Sequence, residues 1–168
     1  EIRRALADLF QAYQPSFEQY QWPLESMRWN ELVYCILESL GTDLQAKTSL
    51  QTLSSLNMLG IDQVVQMGNA EDTLGVRRLE LMLSILEEVG YERSDAKKAI
   101  SAIIGIAKKI QNELDGNIQR LLRQEGLLLI QNVLKYLDIR ELDPSTARYA
   151  VSRWLQNVLN LPIYLETE

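Results

Sequence analysis

Apolar side chains return every three to four positions along almost the whole chain, the spacing of one helix face after another. Leu6, Leu9, Phe10 and Tyr13 share the face of a first helix, and a loop holding Pro15, Trp22 and Pro23 follows. Trp29, Leu32, Val33, Ile36, Leu37 and Leu40 then make a wide stripe that Gly41 is expected to close. Thr42 is the expected cap of the next helix, with Leu44, Leu50, Leu53 and Leu56 on it and a stop near Gly60. The run "IDQVVQMG" predicts a short helix. After the polar stretch "NAEDTLG", Leu79, Leu83 and Leu86 predict another, closed by Gly90. Ser94 is the expected cap of a long helix carrying Ala96, Ile100, Ile103, Ile104, Ala107 and Ile110, which ends at Asp115-Gly116. Segments near 117–124 and 127–137 meet at Gly126. Asp143-Pro144 puts a cap and a first-turn proline in their favoured order ahead of the stripe Val151, Trp154, Leu155 and Val158. No stretch alternates with period two for long enough to argue for a strand, so the pattern predicts an all-α fold.

Composition narrows the chemistry. The 168 residues suit one domain or two small intertwined lobes, and 46% hydrophobic with 24% charged residues is an ordinary globular balance. No apolar run approaches the roughly 20 residues that cross a bilayer, so no membrane partner is expected. No signal peptide is recognised and the chain is expected in the cytoplasm, with Glu1 suggesting a trimmed N-terminus. Histidine is absent and Cys35 is the one cysteine, which removes Ser-His-Asp, Cys-His and His-metal chemistry, an internal disulfide and a four-thiolate cluster. No cofactor is expected. No Gly-rich phosphate loop is present either. A net charge of -6 counts against phosphate backbones as the default partner.

Four stretches nevertheless resemble, in order and spacing, the endonuclease III-like DNA glycosylases of the helix-hairpin-helix superfamily. "WNELVYCILESLGTDLQAKTSLQTL" (29–53) is similar to the family's first barrel helix, its polar Thr-Asp turn and the next helix. "LSILEEVGYERSDAKKAI" (83–100) matches a hydrophobic helix, a Gly-aromatic turn and a small residue-plus-lysine start at Gly90, Tyr91, Ala96 and Lys97. "LLRQEGLLLIQNVLKYL" (121–137) falls where the hairpin and its second helix belong. "LDPSTARYAVSRWL" (142–155) falls where the family has its catalytic aspartate and, five residues on, an arginine. The likeness covers about residues 25 to 160.

This resemblance implies a helical glycosylase-like fold: a barrel lobe over 25–138, with a degenerate hairpin near 121–137, and a reduced second lobe from 1–20 plus 139–168. It implies base excision from damaged duplex DNA by base flipping, with Asp143 stabilising the positive charge on the sugar and orienting water. Gln124, Gly126, Arg148 and Leu40 are the DNA-binding positions it carries over. Asp143 is then expected to point into a cleft between the 29–40 region and the 94–114 helix. Several departures pull the other way. One hairpin glycine is gone and Glu125 puts a negative charge where a phosphate would dock. Leu128 replaces the lysine of the lyase branch, so any activity is monofunctional. Leu40 stands where some members have an intercalating glutamine.

Two readings follow, a monofunctional glycosylase and a catalytically silent relative used for protein association or ligand capture. Asp143 is equally a helix cap, and Arg148 a solvated residue. Lys97, Lys98, Lys108 and Lys109 read as a solvated face before they read as a basic strip. Trp29 and Trp154 read as core, and Cys35 as a small buried hydrophobe. The terminal stripes predict either docking of the two termini on each other or a homodimer through them.

Overall fold

The stripe from Trp29 to Leu37 folds as α1 (Glu25–Ser39), and Trp29, Leu32, Val33, Ile36 and Leu37 are all buried. A computed structural model describes residues 25–122 and 127–159 of the chain. The positions Leu6, Leu9, Phe10, Tyr13, Trp22, Gln124, Glu125 and Gly126 lie outside the described residues. Every regular element among the described residues is a helix: α1, α2 (Asp43–Ser55), α3 (Ile61–Met67), α4 (Thr73–Val89), α5 (Arg93–Leu114), a 3-10 helix (Ile118–Leu122), α6 (Leu127–Tyr136) and α7 (Pro144–Leu159). The all-α fold is as the pattern predicted.

Thr42 caps α2 with a full capping box. Its hydroxyl accepts from the Gln45 N–H at 3.2 Å, and the Thr42 N–H donates to the Gln45 side chain at 3.0 Å. The inner face of α2 is Ala46, Ser49 and Leu53, spaced i, i+3 and i+7. Leu44 and Leu56, expected inside, are exposed. They lie off that face at the two ends of the helix, where the stripe drawn from leucines alone misjudges the phase.

α4 begins well before Leu79. Asp72 is its cap, accepting from the Gly75 N–H at 3.0 Å, and the Asp72 carboxylate also accepts from Gln66, whose own oxygen accepts from Arg78. The stretch that reads as a polar loop is therefore a helix start. Gly75 is needed there for contact, since a Cβ would sit 2.1 Å from the Gln66 carbonyl oxygen where α3 meets α4. Gly90 ends α4 in the left-handed conformation, φ 118°, which glycine adopts without steric cost.

The long helix starts at Arg93, one residue ahead of Ser94, with Glu92 at the N-cap position and no side-chain cap bond. Tyr91 before it is buried, its hydroxyl donating to the Leu37 carbonyl at 2.8 Å, which pins the turn against α1. Along α5 the buried residues are alanines and isoleucines from Ala96 to Ile110. Asp115 ends it with φ 53° and the Gly116 N–H returns to the Ile110 carbonyl.

α7 lies along α1, and this is the most extensive helix–helix contact among the described residues. Val151, Trp154, Leu155 and Val158 are all within 3% of full burial. The α7 stripe is therefore buried within the chain. Its partner is α1. The Trp154 indole N–H donates to the Arg28 carbonyl at 2.9 Å, and Trp29 donates to Leu59, so both tryptophans are core as expected.

Candidate functional site

The segment between α6 and α7 decides where Asp143 goes. Leu137, Ile139 and Leu142 are buried, and Asp138, Arg140, Glu141 and Asp143 alternate with them on the outside. With Leu142 anchored in the core, the next side chain turns to solvent. Asp143 stands exposed at the start of α7 and lines neither of the two hollows described below. Neither of these hollows is a cleft between α1 and α5. The acid lying over α5 is Glu141, whose carboxylate would meet a Cβ placed on Gly105 at 3.0 Å.

As a cap, Asp143 uses its backbone: its carbonyl accepts from the Ala147 N–H at 2.8 Å. Among the described residues its carboxylate accepts no hydrogen bond. Arg148 follows at the second turn of α7, exposed and without an ion-pair partner among the described residues. Leu40, after the end of α1, is half-buried against the core. The structure thus sets Asp143 and Arg148 on the first turns of one helix and packs Leu40 into the hydrophobic interior.

Beside Asp143 runs a groove of about 550 Å3 between the end of α6, the 137–142 segment and the start of α7. Its apolar lining includes Leu134, Leu137, Ile139, Leu142, Ala147 and Val151, while Arg140, Arg148 and Asp138 bring charge to it. Arg140 reaches Asp138 only at 3.5 Å, with both side chains largely in water, so that pair holds the guanidinium weakly. A second hollow, of about 490 Å3, is lined by Trp29, Asn30, Asn57, Asp62, Gln63 and Asp115 among others. Its acids are already engaged, Asp62 by Gln111 and Asp115 by Arg120, each at 2.9 Å. Among the described residues no group of three or more His, Cys, Asp or Glu is placed to hold a metal ion.

The basic strip on α5 dissolves on inspection. Lys108 donates to the Gly68 carbonyl, and Lys109 donates to the Tyr136 carbonyl at 2.6 Å with its ammonium 4.2 Å from that ring. These lysines fasten α3 and α6 to α5. Lys97 and Lys98 are exposed.

A polar seam inside the α1–α7 contact has no counterpart in the sequence reading. Glu31, Tyr34, Cys35 and Glu38 share one face of α1, and Tyr149, Arg153 and Asn157 face them from α7. Arg153 Nε donates to Glu38 at 2.8 Å, and Asn157 donates to Glu31 at 2.5 Å. Tyr34 donates to Asp43, which also pairs with Lys47 at 3.1 Å. Burial and the neighbouring carboxylates push the Cys35 thiol up, and burial followed by the bond to Asp43 pushes up the Tyr34 phenol. Cys35 is thus an inert buried thiol. The separation of 126 residues between Glu31 and Asn157 hides such a pair from any local pattern.

No family model, no curated protein and no solved structure matches this chain.

Proposed function

We propose that this chain is a catalytically silent helical scaffold that binds a partner protein through the groove at the start of α7. The partner supplies aliphatic side chains and at least one carboxylate. One observation carries this reading: the groove joins an apolar lining to two guanidinium groups, neither firmly engaged among the described residues. Aliphatic groups are drawn to the lining by the hydrophobic effect, and a carboxylate at Arg148 forms a two-pronged charge-assisted contact. The experiment is a titration of the chain with an amphipathic helical peptide bearing leucines on one face and glutamates beside them. Expected are chemical-shift changes confined to residues 134–151, lost in Arg148→Glu. Absence of binding, or equal binding by the same peptide with lysines for glutamates, overturns the reading.

A second reading keeps the monofunctional base-excision role that the family resemblance implies. It is favoured by the Asp143 carboxylate, which is exposed and unspent in capping, and so remains available to a substrate. Its test is base release from duplexes carrying uracil, an alkylated purine or an oxidised purine, by the chain and by Asp143→Asn. Release by the first and not the second supports it; release by neither removes it for these lesions.

A further inference from the structure

Glu31 sits half-buried within the most extensive helix–helix contact among the described residues, and none of the described cations makes an ion pair with it, Arg153 acting on it only from a distance. Its hydrogen-bond partner across the seam is the Asn157 amide, a neutral donor. Below it lies Cys35, fully buried, with Sγ 4.0 Å from the carboxylate and 3.9 Å from the same amide. Two turns on is Glu38, a second carboxylate on the same face. Among the described residues Arg153 is the cation in the seam; Glu38 holds it at 2.8 Å and that carboxylate is only 13% exposed.

Several other described charges near α1 are engaged elsewhere. Asp43 and Lys47 of α2 pair with each other, Arg120 of the 3-10 helix pairs with Asp115, and Lys108 and Lys109 of α5 hold backbone carbonyls. Arg28, three residues before Glu31, has its Nε buried without a partner and makes no ion pair with Glu31. A carboxylate so placed loses hydration, gains one amide bond and faces another negative charge. The neutral acid has none of those penalties and can donate its own O–H across the seam.

We infer that the α1–α7 seam is a proton-operated clasp: α7 seats more tightly on α1 when the Glu31 carboxyl carries a proton, and loosens as that proton leaves. The direction of the Glu31 pKa agrees. Burial raises it above its ordinary 4.5, and the Asn157 bond and Arg153 only partly offset this. A carboxyl whose folded value is raised contributes stability that is fully present below its unfolded value and is lost as pH rises through the folded one. The clasp therefore tightens in mild acid and is loosest at neutral pH. It works independently of what the groove beside Asp143 binds.

Cys35 provides the reporter, being the one cysteine of the sequence and lying under the seam. Its protection is the rate of reaction with dithiodipyridine in denaturant divided by the rate in the native chain, which cancels thiol ionisation at each pH. From about pH 4, below the ordinary Glu31 value, to about pH 8 we expect protection to fall severalfold in the native sequence and to stay level in Glu31→Gln. Amide exchange in α5 should not follow the same curve, which separates loosening of α7 from global unfolding. A flat profile in the native sequence, the same slope in Glu31→Gln, or parallel loss in α5 overturns the inference. So does a Glu31→Gln chain that fails to fold, because a neutral side chain at this position is what the clasp favours.

Discussion

Thr42 and Asp143 hold the same station ahead of their helices and contribute differently. Thr42 closes a reciprocal pair of bonds with Gln45, while Asp143 leaves its carboxylate in water and contributes its carbonyl alone. We expect Thr42→Ala to cost about 1 kcal/mol, the common loss for a cap, and Asp143→Ala to cost about 0.5 kcal/mol or less. Urea unfolding of both variants measures the difference. An Asp143→Ala loss equal to that of Thr42→Ala would mean that the carboxylate caps in solution. The sequence made the station of Asp143 readable, because Asp-Pro ahead of an apolar stripe has few other meanings. It did not make the direction of the side chain readable, because that depends on Leu142 being buried from the other side. Cys35 was readable as a buried thiol from its place on the stripe. Glu31 was not readable as a strained acid, since its surroundings come from α7, far along the chain.

Between elements, phase and close approach mattered more than propensity. The long α5 was legible because alanine and isoleucine repeat on one face from Ala96 to Ile110. α2 misled because its burial rests on Ala46, Ser49 and Leu53, while the more conspicuous Leu44 is 74% exposed. The start of α4 was hidden by its own cap, a cluster of polar residues that reads as loop until Gln66, Asp72 and Arg78 are seen to bond one another. Gly75 makes the sharpest test at this scale. Within an exposed helix, glycine to alanine stabilises by about 0.5–1 kcal/mol. Here the new methyl meets backbone at 2.1 Å, which cannot swing aside as a side chain would. Gly75→Ala should therefore destabilise, by about 1–3 kcal/mol, as α3 and α4 are pushed apart. Thermal unfolding of this variant reads the sign. A rise in midpoint would show that the two helices have slack where they meet.

Across the whole molecule, three phenols are held in their neutral form by the packing of α1, α4 through α6 and their turns. Tyr34 is raised by burial and then by its bond to Asp43, and Tyr136 by burial and then by the nearby Glu113 carboxylate. Tyr91 is raised by burial and then by Glu38, up to about 12 from an ordinary 10.0. These groups lie in different parts of the fold, so their shared shift reports the integrity of the helical assembly rather than of one site. In each the folded chain binds the proton more strongly than the unfolded chain does. The stability so contributed is complete below about pH 10 and is lost as pH rises through the folded values. We expect the urea midpoint to hold steady up to about pH 9 and to fall steeply by about pH 11, with the phenolate absorbance of Tyr34, Tyr91 and Tyr136, taken as the difference between the native sequence and the Phe variant of each, appearing as the chain unfolds. Tyr91→Phe should cost about 1 kcal/mol near neutrality, through the lost bond to the Leu37 carbonyl, and yet shallow the alkaline decline. A difference signal from any of these three that rises at the ordinary phenol pH in the still-folded chain would mean that water reaches that phenol. For Tyr91, the contacts between α1 and its turn would then not be closed in solution.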